Sequence, residues 1–485
     1  MNAPVRKIAI SVLVLFTLLI LNANVIQVIQ ADSLRTDSGN TRVLIEEYSR
    51  QRGSIVVDGQ PVAMSVPTDD ALQYLRQYPA GPMYAPATGF YSLIFGPSAI
   101  ERTENDLLVG SDDRLLVRQI TDLFTGRDPK GGNVVLSLNP AAQQAAFDAL
   151  QGVTGAAVAL DPRTGAILAM ASTPSYDPNL LSSHDPSAIR DYAAELDAAE
   201  VDPRLNRATQ DNFPPGSVFK TIIAAAALSD GYTPETLIPA PDVLELPGSS
   251  ATLQNFGGSR CSGSEEQSLI DALTISCNTA FAQLGIDLGE DRVREMAAAF
   301  GIDGTGFEMP LTVAPSQVGD IESEAALAQT GIGQRDVRLT PMQAAMIASC
   351  IANDGQLMTP YLVSELQGPD LSTVDQTDPE VFSEPISADV ANDLTTMMIS
   401  VVDNGSGRRA QIEGVEVAGK TGTAEVADGV RPHTWFIGFA PADDPQVAVA
   451  VFVANGGSSE SEATGGEISA PIGRAIMEAV MGSNP

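Results

Sequence analysis

The stretch Gly155-Ala-Ala-Val-Ala-Leu-Asp-Pro-Arg-Thr-Gly-Ala-Ile-Leu-Ala-Met-Ala-Ser172 holds two apolar runs around an Asp-Pro-Arg-Thr-Gly turn, the pattern of a β-hairpin. Downstream the periodicity turns helical over 217–229, 267–288 and 340–353, then strand-like again near 414–426, 434–440 and 446–454. Strands at both ends of a helical middle predict an α+β domain over 131–485, its terminal strands closing one antiparallel sheet. Upstream, Ser54-Ile-Val-Val-Asp-Gly-Gln60 and Tyr84-Ala-Pro-Ala-Thr-Gly-Phe-Tyr91 alternate short apolar segments with turn clusters, so a smaller, irregular β-rich module is expected over 32–130. Between the two, Arg127-Asp-Pro-Lys-Gly-Gly-Asn133 reads as a linker that few contacts should cross.

A chain of 485 residues exceeds one ordinary core, since cores stop growing at roughly 250 to 300 residues. With 44% hydrophobic and 18% charged residues it has the composition of a folded globular protein. The 27 basic against 61 acidic side chains leave a formal charge of −34, which repels nucleic acid and excludes it as an expected partner. Cys261, Cys277 and Cys350 lack paired metal-site spacing, and His184 and His433 are the chain's two histidines. No metal and no cofactor is expected.

Arg6 and Lys7 precede an uncharged run from Ile8 to Leu21, which Asn22, Asn24, Gln27 and Gln30 then dilute. A helix over 8–29 would reach about 33 Å, enough for the bilayer core. Positive charge on the short side predicts a cytoplasmic tip and an exported bulk. The segment 1–31 is thus read as tip and transmembrane signal-anchor. A cleaved signal peptide is the alternative, though no clean Ala-x-Ala site stands between Asn24 and Ser33.

Three short motifs carry chemistry. Ser217-Val-Phe-Lys220 follows Phe213-Pro-Pro-Gly216 and opens a helical run, placing Ser217 at a helix N-terminus with Lys220 on the same face, within expected hydrogen-bond reach. A lysine made neutral by burial can take the proton of a serine nucleophile. Ser276-Cys-Asn278 stands at a junction of two helical segments, where a hydroxyl relays a proton and an amide holds a substrate amide. Lys420-Thr-Gly-Thr423 lies in a strand. Lys420 and Thr421 suit a carboxylate, Gly422 removes a side chain where substrate backbone would approach, and the N–H of Thr423 can join that of Ser217 as an oxyanion hole. A Ser-His-Asp triad through His433 is not expected, because no Gly-x-Ser-x-Gly elbow surrounds Ser217. Trp435-Phe-Ile-Gly-Phe439 reads as sheet core.

In this order the three motifs resemble the signature of penicillin-binding and β-lactamase-like enzymes. The resemblance extends to Asn212-Phe-Pro-Pro-Gly-Ser-Val-Phe-Lys220, Ser276-Cys-Asn-Thr-Ala-Phe281, Gly331-Ile-Gly-Gln-Arg-Asp-Val-Arg-Leu-Thr-Pro-Met-Gln343 and Ala418-Gly-Lys-Thr-Gly-Thr-Ala-Glu425, which are similar to blocks of the class B penicillin-binding protein transpeptidase domain. Tyr48-Ser-Arg-Gln-Arg-Gly-Ser-Ile55 resembles the start of that family's N-terminal module, and Tyr84-Ala-Pro-Ala-Thr-Gly-Phe-Tyr-Ser-Leu93 one actinobacterial branch of it. The resemblance implies a peptidoglycan D,D-transpeptidase at the cell membrane, cross-linking D-Ala-D-Ala donor peptides to an amine acceptor and blocked covalently by β-lactams. It further implies Ser217 as the acylated residue, Lys220 as its base, Ser276 as relay, Asn278 as amide ligand, Lys420, Thr421 and Thr423 as carboxylate and oxyanion contacts, and a SEDS-type glycosyltransferase partner.

Several readings stay open. A D,D-carboxypeptidase or β-lactam-hydrolysing enzyme uses the same residues with water as the acceptor. A β-lactam sensor would need a cytoplasmic output domain, for which seven residues before the apolar run leave no room. A silent division scaffold is opposed by the intact motifs. Export to an oxidising space and the Gly/Ser-rich loop at 257–264 predict a Cys261–Cys277 disulfide, closing a loop worth about 3 kcal/mol, with Cys350 reduced in a core helix.

Overall fold

The computed structural model describes residues 2–29, 48–115, 130–304, 307, 309–426, 429–457 and 463–483. The expected linker at 127–133 falls partly outside them. Strands β1 (Ile55–Val57), β2 (Gln60–Pro67), β3 (Tyr74–Gln77), β4 (Asn133–Leu136), β5 (Gly155–Leu160), β6 (Ile167–Thr173), β7 (Val363–Gln367), β8 (Thr373–Gln376), β9 (Ala418–Ala424), β10 (His433–Ala440) and β11 (Val447–Val453) build the two large sheets.

One sheet is antiparallel, ordered β9-β10-β11-β5-β6. The hairpin at 155–172 supplies two of its strands. Every residue of β5, β10 and β11 is buried, because the sheet is covered on both faces, and a strand covered on both faces reads as a continuous apolar run. Alternate residues still divide by the period of two. Ala156, Val158, Trp435, Ile437 and Phe452 face a core shared with the helices Lys220–Ser229 and Pro341–Ala352, while Ala157, Ala159, Phe436 and Val451 face the helices Pro140–Ala149 and Ser469–Ser483. The helix Lys220–Ser229 is buried from Lys220 to Leu228, which fits its apolar composition on all sides.

The second sheet runs β8-β7-β4-β1-β2-β3. Its centre corrects the linker expectation: β1 pairs with β4 in parallel, Ile55 opposite Val134, and β4 pairs antiparallel with β7. Residues on both sides of the expected boundary at 130/131 therefore share one hydrogen-bonded sheet. Sequence periodicity carries no information on such long-range pairing.

The segment at Tyr84 departs from its β-rich reading, since Gly81–Thr88 is a helix with Pro82 in its first turn. Pro86 sits inside it, where it cannot donate to the carbonyl of Pro82. The hydroxyl of Ser175 takes that carbonyl instead, at 2.7 Å. The segment 267–288 is likewise not one helix. Strand Glu266–Ser268 precedes the helix Leu269–Thr274, and a break at Ser276 precedes the helix Asn278–Leu288.

Arg52 donates to Glu101 Oε2 and Arg76 to Glu101 Oε1, each at 2.6 Å, and Tyr78 adds its hydroxyl at 3.0 Å. Burial pushes the Glu101 carboxyl up, but Arg76 and Arg52 outweigh it and hold the group below its usual value. Glu101→Gln leaves two guanidiniums buried without a counter-charge, and breaking a buried ion pair in this way costs about 3 kcal/mol or more. We expect thermal or urea unfolding to register that loss, and an unchanged midpoint would refute the assignment.

At the N-terminus the helix Asn2–Asn24 continues to Ile29. Its segment Pro4–Gln27 is 24 residues long, apolar enough to cross a membrane, and unburied by the rest of the chain. Thr17 and Asn24 return their side chains to the carbonyls of Leu13 and Ile20, which satisfies two polar groups that hydrocarbon would otherwise strand.

Candidate active site

Ser217 lies in a 3-10 turn, Gly216–Phe219, that runs directly into the helix Lys220–Ser229. The turn is held from two sides: Trp435 Nε1, on β10, donates to Pro214 O at 2.8 Å, and Gly216 N donates to Gly333 O at 3.0 Å. Ser217 is only partly buried and opens onto a cleft of about 1040 Å³, shared with Asn278, Thr423 and the walls 252–257 and 329–335.

Lys220 is fully buried one turn further on. Its Nζ contacts Ser276 O at 2.8 Å, Asn278 Oδ1 at 2.7 Å and Ser276 Oγ at 3.3 Å. The expected direct bond to Ser217 is not formed among the described residues, because these contacts take Lys220 across to the Ser276 segment. Lys420, also fully buried, donates to Ser276 Oγ at 2.9 Å and to Thr421 O at 2.8 Å. Ser276 Oγ thus stands between two lysines. Burial, then the charge of Lys420, holds Lys220 well below its ordinary value. Burial brings Lys420 down to about 7. A neutral amine has two N–H groups and a lone pair. In Lys220 the N–H groups meet Ser276 O and Asn278 Oδ1, leaving the lone pair as a base.

The Ser276 backbone is held at φ 63°, a left-handed conformation costly for a residue with a Cβ and often found at functional sites. Asn255 explains how it is held. Its Oδ1 accepts from Asn278 N at 2.8 Å and Thr279 N at 3.1 Å, capping the helix Asn278–Leu288 from a distant loop. Cys277, at the cap position itself, makes no side-chain cap. Its sulfur is bonded to Cys261 at 2.06 Å, tying the same loop region to the centre of the Ser-Cys-Asn motif, while Cys350 is free and buried.

β9 is an edge strand. A Cβ on Gly216 would lie 2.5 Å from Thr423 O, so that carbonyl points out of the sheet toward the Ser217 turn. The N–H of an extended residue points the same way as its carbonyl, and the Thr423 N–H therefore also faces the turn. At Gly422 the expectation needs correcting. A Cβ there would meet Pro215 O at 2.6 Å and Val218 Cγ2 at 3.0 Å, so the missing side chain admits the Ser217 turn, not a substrate backbone. Thr421 bonds Ser406, Oγ to Oγ, at 2.6 Å. Neither Asn255 nor Ser406 carries a sequence signal, for each lies in a polar loop remote from the motif it supports.

His433 is buried edge-on against Phe213 and Phe452, and its Nδ1 accepts from Asn455 N at 3.1 Å. Burial, aided by Arg338, lowers it to about 4. It forms no bond to Ser217 among the described residues. Trp435, Phe436, Ile437 and Phe439 are fully buried, as expected of sheet core. No cluster of metal-ligating side chains occurs among the described residues.

The family model for the penicillin binding protein transpeptidase domain matches residues 155–478, and that for the penicillin binding protein A dimerisation domain matches 52–134. The chain is 50% identical to the peptidoglycan D,D-transpeptidase PbpA of Mycolicibacterium smegmatis over 99% of both chains. It is 49% identical to the Mycobacterium tuberculosis protein of that name over the whole of both. Penicillin-binding protein A from M. tuberculosis, solved as its ceftriaxone acyl-enzyme, superposes with a TM-score of 0.87 at 49% identity, covering 90% of this chain and 100% of that one. Its penicillin G acyl-enzyme gives 0.86, at 49% identity over 89% and 100%.

Proposed function

Because the chain belongs to the penicillin-binding protein transpeptidase family, as a serine-type peptidoglycan D,D-transpeptidase that β-lactams acylate, we propose that Ser217 is its nucleophile and Lys220 the base. The observation that carries these roles is the chain Lys420–Ser276–Lys220, two buried lysines joined through one hydroxyl and opening beside Ser217.

In the acylation step Ser217 Oγ attacks the carbonyl of the penultimate D-Ala, and its proton passes to Lys220 Nζ. The N–H groups of Ser217 and Thr423 stabilise the oxyanion. Collapse breaks the C–N bond to the terminal D-Ala, whose nitrogen takes the proton from Lys220 through Ser276 Oγ. An amine of a second stem peptide then attacks the ester and surrenders a proton along the same path, restoring Ser217. Asn278 Nδ2 orients the donor's amide, while Lys420, Thr421 and Thr423 receive its terminal carboxylate.

The expected domain division, 1–31, 32–130 and 131–485, stands in this reading as a functional one: anchor, non-catalytic pedestal and transpeptidase domain. The helix Asn2–Asn24 holds a single-pass protein in the cell membrane with the catalytic cleft outside. A SEDS-type glycosyltransferase, which supplies the glycan strands, docks on the anchor and the pedestal.

The purified ectodomain, given a D-Ala-D-Ala donor peptide and an amine acceptor, should release D-Ala and form the cross-linked dimer. D-Ala release with hydrolysed donor alone, at saturating acceptor, would make the protein a carboxypeptidase instead.

A further inference from the structure

Thr421 is 5% exposed, and its hydroxyl is bonded to that of Ser406. Ser406 belongs to the loop between the helix Ala388–Asp403 and β9, and it reaches two catalytic segments at once. Its backbone N donates to Thr274 O at 3.3 Å, two residues before Ser276, while its side chain meets Thr421 at 2.6 Å. The same helix grips that segment once more, Thr274 Oγ1 donating to Ser400 Oγ at 2.8 Å.

A hydroxyl carries one proton. If Thr421 is to donate to a carboxylate, its proton must point into the cleft, and the bond to Ser406 must then run from Ser406 Oγ into a Thr421 lone pair. With the opposite polarity the Thr421 proton is spent on Ser406 and its lone pairs face the anion. Lys420 attracts the anion as a charge, with two of its three donors held by Ser276 Oγ and Thr421 O, and it does not set the polarity of the Thr421 hydroxyl.

We propose that Ser406 is a positioning residue for recognition of the donor's terminal carboxylate, its hydroxyl holding the Thr421 hydroxyl in the orientation that donates to the anion. This rests on the reading above that Thr421 meets that carboxylate. Ser406 touches no reacting atom; it acts through Thr421. It is exposed, so its replacement does not open the core.

The test compares acylation by penicillin G and by its methyl ester, followed by intact mass and by stopped-flow to separate binding from the covalent step. Ser406→Ala should lose about tenfold in acylation efficiency with penicillin G, chiefly in binding, as for a lost hydrogen bond to a charged group. With the ester, which has no carboxylate, it should match the wild type. Ser406→Thr keeps the hydroxyl and should restore penicillin G. Equal losses with both ligands would make Ser406 merely structural, and no loss with either would remove it from the site; both outcomes overturn the inference. A wild-type protein that takes up neither ligand would instead overturn the acyl-serine reading beneath it.

Discussion

Ser217→Ala incubated with penicillin G is expected to keep its unmodified mass while the wild type gains one antibiotic. The lactam presents a strained acyl group and a carboxylate to the donor site, and in the proposed mechanism the adduct is an ester to Ser217 Oγ. Removing that oxygen removes the bond itself, so the loss is complete instead of a slowing, and transpeptidation disappears with it. The variant should fold normally, because Ser217 Oγ makes no hydrogen bond among the described residues and is only partly buried. Peptide mapping of the wild-type adduct checks the position. An adduct persisting in Ser217→Ala would place the nucleophile elsewhere.

Lys220→Ala keeps the nucleophile and removes its base. A positioned base contributes roughly 10²- to 10⁴-fold, so acylation should slow by about a thousandfold and remain measurable. The pH dependence gives a second readout. Lys220 acts when neutral, and since burial and Lys420 hold it well below an ordinary lysine, the wild-type rate should rise through that depressed value and level off far below the pH where a solvated lysine deprotonates. Lys220→Ala should lose this limb. In the proposed mechanism Lys420 acts as a cation on the carboxylate, and burial brings it down to about 7. Binding of carboxylate-bearing ligands should therefore weaken as pH rises through about 7. Dependence on His433 equal to that on Lys220 would refute the lysine mechanism.

The local backbone of the candidate motifs was legible because each motif is short. Ser217 and Lys220 sit within one helical turn, and Lys420 to Thr423 within one strand, so spacing alone places their backbones. The hairpin at 155–172 was legible for the same reason. What joins distant segments was not. Asn255 caps a helix that begins 23 residues later in the chain, and Ser406 meets Thr421 from 15 residues away. The helix Gly81–Thr88 was hidden by Pro86, whose lost bond is made good by Ser175, 93 residues from its partner Pro82. The neighbour of Gly422 could not be read either, for an absent side chain does not say what fills its place.

The parallel pairing of β1 with β4, and the antiparallel pairing of β4 with β7, bear on how the chain is made. Synthesised amino end first, the chain presents β1, β2 and β3 long before residues 363–367 arrive, and until then β4 lacks a neighbour on its far side. An unpaired strand edge of this kind invites association with other chains. Biogenesis thus has an interval in which half a sheet must be shielded, and a fragment ending just after β4, near residue 140, would be caught in that interval permanently.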